Sequence, residues 1–277
     1  MKIQYLGTAA AEGIPAAFCN CVFCKSARKA GALRTRAQVL LDGELSIDFP
    51  PDAFYHAARF QVDLSAIKYL LVTHAHMDHF YAHDFILRGY KYAHDLSEKE
   101  LHIFGNAEVM DVFRECTARE LREDVAVGIR LHRIGAFEEA AFDGWKVYTL
   151  AAQHSSQEPL LFLIERSGKR ILHLCDTGSL TAESEKFLEA VGGAACDLVT
   201  LDCTFLFGKT ATTARHMGLD ENMRTLEKLA RIGFIDGHTK KVITHFSHNS
   251  TPTEELLARA EAEYGVIAAY DGMEIEI

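Results

Sequence analysis

The segment THAHMDHF at residues 73–80 puts His74, His76, Asp78 and His79 into six consecutive positions. Imidazole and carboxylate are metal ligands, and this mixture suits zinc, manganese or iron. His74 and His76 alternate by two, so an extended backbone points both to one side. Asp78 and His79 follow where the chain turns. Four ligands on one short loop can serve two adjacent ions but cannot fill both coordination shells. A second cluster, CNCVFC at residues 19–24, holds Cys19, Cys21 and Cys24 in a C-x-C-x-x-C pattern. Three thiols so close can chelate one zinc, and a closed structural site takes a fourth ligand.

These side chains need elements to aim them. The apolar run AIKYLLVT leads straight into the histidine segment and reads as a buried strand. MKIQYLG reads as a strand ending in a glycine turn. AQVLLDGELSIDF reads as a hairpin about Asp42-Gly43. WKVYTLAAQ, CDLVTLDCTF and LLFLIERSGKRILHLC are further strands, the last turning at Ser167-Gly168. Helical patterns cover residues 106–122, 181–191, 219–232 and 253–264. With no repeat, low-complexity stretch or linker, the expectation is one α/β domain over residues 1–277.

Composition limits the function classes. Of 277 residues, 48% are hydrophobic and 25% charged, which suits a globular protein with a real core. A formal net charge of −10 opposes binding to nucleic acid by bulk basicity. A small anionic substrate is compatible with such a chain if metal charge is concentrated in a pocket. No run of about 18 apolar residues suggests a membrane span, and MKIQYLGTAA lacks a secretory pattern, so the expected location is cytoplasmic. Seven cysteines, an odd number, oppose a disulfide framework. Cys116, Cys175, Cys196 and Cys203 read as small core residues.

The H-x-H-x-D-H segment after a buried strand resembles the signature of the metallo-β-lactamase superfamily. That resemblance implies a four-layer αββα sandwich and two divalent ions, zinc or manganese or iron. It also implies three further ligands at later strand ends. His154 after KVYTLAAQ, Asp176 after RILHLC and His245 after KVIT stand in that order. His74, His76 and His154 would hold one ion. Asp78, His79 and His245 would hold the other, with Asp176 bridging. Two ions about 3.5–4 Å apart clamp a water and stabilise displacement at phosphorus. His56, His94, His102, His132, His173 and His238 match nothing and read as surface or hydrogen-bonded core residues.

Two features resemble one branch, the phosphodiesterases that include ribonuclease Z and the phosphoribosyl cyclic phosphodiesterase of phosphonate utilisation. In RHMGLDENMRTLEKL, His216 resembles that branch's proton donor, and Asp202 in LDCTF resembles the residue that orients it. In HFSH, His248 follows His245 by three residues, as in the cyclic phosphodiesterase. The resemblance thus implies a structural zinc on Cys19, Cys21, Cys24 and His248. The chain departs from the family just after the signature. FYAHDF replaces a glycine and a Leu-Asp-Asp stretch, and Ala82 and His83 would there line the pocket.

The leading expectation is a phosphodiesterase whose partner is a small cyclic or diester phosphate. A ribonuclease Z-like nuclease is the alternative, but no basic, glycine-rich arm is seen. A third reading is a non-hydrolytic biosynthetic accessory protein. CNCVFC and the preceding AAAEGIPAAF resemble the pyrroloquinoline quinone biosynthesis protein B. No membrane partner is expected, and a homodimer is neither required nor opposed by the sequence.

Overall fold

Along β9 (Leu160–Arg166), Leu160, Phe162 and Ile164 alternate with Leu161 and Leu163, and all five are buried. A strand apolar on both faces must lie between two apolar layers. Leu160, Phe162 and Ile164 join Tyr5, Val39, Leu45 and Tyr69 in a core between two sheets. Leu161 and Leu163 join Leu188, Leu226, Leu229 and Leu257, which belong to helices. A third cluster sets Leu40, Leu70 and Ile103 against Val109, Met110 and Phe113 on the far side. The layers therefore run helix, sheet, sheet, helix, as the resemblance implied. This is a computed structural model, and it describes residues 1–208 and 215–277.

The first sheet has the order β14 (Met273–Glu276), β1 (Lys2–Gly7), β2 (Gln38–Leu41), β3 (Leu45–Ile47), β4 (Tyr69–Leu71), β5 (Leu101–Gly105), β6 (Ile129–Arg133). The second has the order β13 (Ile267–Ala268), β12 (Lys240–Thr244), β11 (Leu198–Asp202), β10 (Lys169–Leu174), β9, β8 (Trp145–Ala151), β7 (Glu139–Phe142). Pairing is parallel from β3 to β6 and from β10 to β13, and antiparallel elsewhere. Both expected hairpins form. Asp42 and Gly43, like Ser167 and Gly168, have positive φ at both turn positions, as two-residue hairpins of this twist require.

The helices are α1 (Val22–Ala30), α2 (Ala53–Phe60), α3 (Ala107–Thr117), α4 (Glu123–Ala126), α5 (Ala182–Val191), α6 (Leu219–Arg231) and α7 (Glu254–Tyr264). Asn106, Thr181 and Thr253 cap α3, α5 and α7 by accepting backbone N–H groups. The expected helix over 106–122 stops at Thr117, and α4 follows separately. Helices α1 and α2 were not anticipated; each is one short amphipathic piece beside a stronger motif. Among the described residues, no helix is long and apolar enough to cross a membrane.

The two sheets meet where chemistry was expected. β4 is shorter than its apolar run because the chain leaves the ladder early. Val72 N–H donates to the Phe104 carbonyl, and the Thr73 carbonyl accepts from Leu160 N–H of the other sheet. The C-terminal ends of β3, β4, β8, β10 and β12 precede Asp48, His74, His154, Asp176 and His245 respectively, and β11 ends on Asp202. Ligands in open α/β sheets collect at such ends. Asp48, Asp176 and His245 have φ of 64°, 51° and 63°, left-handed turns that lift each side chain out of its strand.

Asp48 is held from below by a buried polar chain. Ser46 Oγ donates to the Asp48 carbonyl at 2.9 Å, and Gln38 Nε2 donates to Ser46 Oγ at 3.1 Å. His56 lies 2.6 Å from Gln38 Oε1 and 2.7 Å from Thr35 Oγ1. Burial pushes His56 down to about 4 despite the nearby charge of Asp52. An unfolded chain therefore takes up a proton on His56 near pH 6.5, while the folded chain stays unprotonated until about pH 4. The stability from His56 is complete above pH 6.5 and is lost as pH falls towards 4. The advantage of wild type over His56→Gln should shrink by about 2 kcal/mol between pH 7 and pH 5. Urea unfolding of both proteins at the two pH values measures it, and an unchanged difference would sink the assignment.

Candidate metal centre

Asp176 is the hub of the expected site. It is 3% exposed, and five histidines approach its carboxylate. His79 Nε2 lies 3.1 Å from Oδ2, His74 Nε2 3.4 Å and His245 Nε2 3.7 Å. His154 Nδ1 lies 3.2 Å from Oδ1 and His216 Nδ1 3.0 Å. Donor atoms of His74, His76, His154 and Asp176 all fall within 4.8 Å of one another, as do those of Asp78, His79, Asp176 and His245. The structure thus brings together all seven expected ligands in the two expected sets, with Asp176 in both.

The donor atoms suit cations. His79 Nε2, His154 Nδ1 and His245 Nε2 are buried without a hydrogen-bond partner among the described residues. Buried polar atoms are normally satisfied. Ring nitrogens and carboxylate oxygens converging on one space are the arrangement a divalent ion satisfies. Burial acts to raise the Asp176 carboxyl, but His245, His216 and His79 outweigh it and hold it well below the usual range. It is therefore an anion.

The outer nitrogens fix the tautomers. Asp48 Oδ2 lies 2.7 Å from His79 Nδ1, and an ionised carboxylate can only accept. His79 therefore carries its proton on Nδ1 and turns Nε2 to the site. Thr73 Oγ1 donates to Asp48 at 2.9 Å and lies 3.0 Å from His74 Nδ1. Thr204 Oγ1 and Asp202 Oδ2 lie 2.9 Å and 3.3 Å from His245 Nδ1. Such outer partners orient metal-binding imidazoles and raise their basicity. Sequence reasoning missed Asp48, Thr73 and Thr204. The signal at Asp48 was an acidic residue at the end of the apolar strand LSI.

His216 stands beside this cluster with its side chain 23% exposed. Its Nδ1 contacts Asp176 and, at 3.2 Å, Asp202 Oδ2. Burial disfavours the charged ring, but the hydrogen bonds and charges of Asp176 and Asp202 prevail and raise His216 to about 10. Asp202 is fully buried and also caps Met217 N–H at 2.9 Å. It serves His216 and His245 alike, which the sequence had linked only to His216. Ala82 does not line the site as expected. It is wholly buried beneath the first sheet with Phe80 and Phe85, because the chain enters a 3-10 turn over Ala82–Leu87. His83 is exposed and rests near Tyr81.

The cysteine cluster is separate. Donor atoms of Cys19, Cys21, Cys24 and His248 lie within 4.8 Å of one another. His248 Nδ1 is 3.4 Å from Cys24 Sγ and 4.0 Å from Cys21 Sγ. Cys21 caps α1, accepting from Cys24 N–H at 3.4 Å. That bond, with His248, lowers its thiol to about 6. Three thiols and an imidazole form a closed zinc donor set. Glu12, unread in the sequence, accepts from Ser247 Oγ at 2.6 Å and from His248 N–H at 3.2 Å. Cys175, Cys196 and Cys203 are buried as expected, and Cys116 is partly buried against the core.

A family model described as a beta-lactamase superfamily domain matches residues 40–246. Among solved structures, a diphosphatase from the PhnP family has 22% identity and a TM-score of 0.75, over 100% of this chain and 97% of its own. Zinc-bound PqqB from Methylobacterium extorquens has 18% identity and a TM-score of 0.73, over 100% of both chains. The short form of human tRNase Z has 18% identity and a TM-score of 0.68, over 100% of this chain and 99% of its own. At these identities the likeness is one of fold. No curated protein sequence matches the chain.

The geometry separates two acidic roles. Asp48→Ala should weaken metal binding about 10–100-fold by freeing His79, and mainly for one ion of two. Asp176→Ala should lower occupancy of both. Metal titration of stripped protein distinguishes them, and equal two-ion losses in both variants would refute the separation.

Proposed function

The chain belongs to the beta-lactamase superfamily, and from that premise we propose that it is a metal-dependent phosphodiesterase acting on a small cyclic or diester phosphate. The observation that carries this reading is one carboxylate, Asp176, common to the two expected ligand sets, with the His216 imidazole 3.0 Å from it. His74, His76 and His154 would hold one divalent ion, and Asp78, His79 and His245 the other. When bound, such a pair supplies a nucleophilic water at neutral pH and positive charge against the developing oxyanion.

The chain's own groups complete the chemistry. Asp48, Thr73 and Thr204 keep the imidazoles in the ligating tautomer. Asp176 and Asp202 hold His216 by Nδ1, which makes Nε2 the nitrogen to give a proton to the departing oxygen. The two carboxylates raise His216 towards its protonated form, which suits an acid rather than a base. The net charge of −10 favours a small phosphate ester over a polynucleotide. Cys19, Cys21, Cys24 and His248 hold a structural zinc in this reading, with no position open to water.

Hydrolysis rates over a panel of phosphodiesters test the activity, with manganese or zinc restored to stripped protein. A ribose 1,2-cyclic phosphate, a structured RNA and a diphosphate belong in the panel. The diphosphate is included because a PhnP-family diphosphatase has the same fold. Absence of diesterase turnover with either metal would overturn the reading. His216→Ala should lower kcat about 10²–10⁴-fold with metal content intact. The loss should shrink for nitrophenyl esters, whose leaving group needs little protonation. An equal loss for good and poor leaving groups would make His216 a positioning residue instead.

The cysteine cluster gives a different signature. Thiolates should retain zinc when the imidazole and carboxylate ligands are loaded with manganese. Cys21→Ser should lose one equivalent of zinc and melt at a lower temperature, since such metal binding is coupled to folding. Anomalous scattering at the zinc edge locates the ion. Free thiols, or a disulfide in reduced protein, would refute the site.

A further inference from the structure

A hydrogen-bonded path runs from the turn before β14 to the metal centre. Asp271 Oδ2 lies 2.8 Å from Thr35 Oγ1, which lies 2.7 Å from His56 Nε2. His56 Nδ1 lies 2.6 Å from Gln38 Oε1, and Gln38 Nε2 3.1 Å from Ser46 Oγ. Ser46 Oγ lies 2.9 Å from the Asp48 carbonyl, and the Asp48 carboxylate accepts from His79 Nδ1. Thr35, Gln38, Ser46 and His56 are buried, out of reach of solvent. His56 is thus the hydrogen-bonded core residue that the sequence suggested. His173, also buried, is not, for its Nδ1 has no partner among the described residues.

Each of the five contacts from Asp271 to the Asp48 carbonyl needs one hydrogen. The Thr35 and Ser46 hydroxyls supply one each, and a neutral His56 ring supplies one. The Gln38 amide presents hydrogens on one side and an oxygen on the other, so it serves one of its two contacts whichever way it is turned. Four hydrogens therefore face five contacts. An ionised Asp271 adds none, and two acceptors would then oppose each other in a buried contact, which is costly. One further hydrogen removes the deficit, and on this path only Asp271 and His56 titrate. Burial disfavours a charged His56 and lowers it to about 4, against the charge of Asp52, which Arg36 engages. Burial raises the Asp271 carboxyl, against its bonds from Thr8 and Thr35 and the charge of Arg34. Arg34 donates to Thr8 Oγ1 at 2.7 Å, so Thr8 gives its own hydrogen to Asp271 Oδ1. The acid hydrogen belongs on Oδ2, facing Thr35.

We propose that Asp271 is held protonated in the native fold and is a positioning residue of the metal centre, its hydrogen completing a one-way series of donors through Thr35, His56, Gln38 and Ser46 to the Asp48 carbonyl. With that hydrogen in place, Gln38 turns its oxygen to His56 and its nitrogen to Ser46. Ser46 then donates to the turn that carries the Asp48 carboxylate, which orients His79. Without it, Gln38 is free to turn round and Ser46 to release Asp48. This role belongs to the metal centre and is independent of the ester cleaved.

The Asp271 carboxyl carbon, followed by NMR in zinc-loaded protein labelled with 13C-aspartate, reports the protonation directly. Its absence from Asp271→Asn identifies the signal, or through-bond connection to its backbone should that variant not fold. A protonated carboxyl is expected at pH 7, and a carboxylate there would overturn the proposal. Ser46→Ala is the long-range test. It deletes the last contact and one hydrogen, and Gln38 can then turn its nitrogen to His56. An ionised Asp271 leaves no contact between it and Gln38 empty in that variant. The Asp271 titration midpoint should fall by about one pH unit, a tenfold change in proton affinity, although Ser46 stands four contacts away. The histidine centre should also hold zinc more weakly, on the order of tenfold. A packing defect at Ser46 lowers stability without moving that midpoint. An unchanged midpoint would therefore overturn the proposal, and unchanged zinc affinity would overturn the positioning role.

Discussion

A buried carboxylate with nothing to neutralise it is among the most expensive things a fold can contain. Asp176 is such a group, and the architecture around it reads as the answer to that constraint. Five imidazoles are brought to it from chain segments as far apart as residues 74 and 245. Those rings are held in turn by Asp48, Thr73, Thr204 and Asp202, so the negative charges face the outer edges of the rings as well as their centre. Burial alone would drive His74 and Asp176 to their neutral forms. It succeeds with His74, which is held well below its usual range, and fails with Asp176, which faces too many imidazoles. The result is a concentration of ligands and negative charge that positive ions complete. Removing one carboxylate leaves its histidine partners without orientation rather than simply deleting a contact.

Such a cluster could not be built on one sheet. The C-terminal ends of parallel strands lie side by side about 4.8 Å apart, which suits neighbouring ligands but leaves them in a row. Setting two sheets face to face closes the row into a ring. His74, His76, Asp78 and His79 come from the first sheet, and His154, Asp176 and His245 from the second. The bond from Leu160 N–H to the Thr73 carbonyl pins the edges together at the motif itself. Left-handed turns at Asp48, Asp176 and His245 then convert strand direction into side-chain direction. Backbone strain of this kind persists only where surrounding structure fixes it. The buried chain from His56 through Gln38 and Ser46 supplies that fixing for Asp48.

How much of this could be read beforehand follows from how local each signal is. His74, His76, Asp78 and His79 are consecutive, and their density is visible without a fold. His154, Asp176 and His245 each terminate an apolar run, so strand periodicity exposes them. Asp48 also ends an apolar strand, but nothing local marks its role: its partners Thr73 and His79 are 25 and 31 residues away, and only β3–β4 pairing brings them together. Thr204 is equally silent, since its partner His245 is 41 residues on. Ala82 misled because position after a motif is not direction; one 3-10 turn rotated it into the core. The strands β5, β6 and β7 were not read: Leu101 and Ile103 in β5, and Ile129 and Leu131 in β6, alternate with polar residues over only a few positions, and β7 offers mainly two alanines, so their place comes from neighbours in the sheet.

The cysteine cluster raises a question of coupling. His248 follows His245 by three residues and opens a 3-10 turn over His248–Ser250. The same loop is paired to the N-terminal segment, where Ala10 N–H donates to the Phe246 carbonyl and Phe246 N–H to that of Thr8. Glu12 joins the two again through Ser247 and His248. The loop that aims His245 therefore rests on the segment leading to the thiols. Soft thiolates and harder imidazole and carboxylate donors prefer different ions, so the two clusters can be filled independently. Their geometry cannot be independent, because one loop of four residues ends in a ligand of each kind. An ion held by the thiols would order the N-terminal segment, and that order would reach His245 through backbone hydrogen bonds rather than through charge.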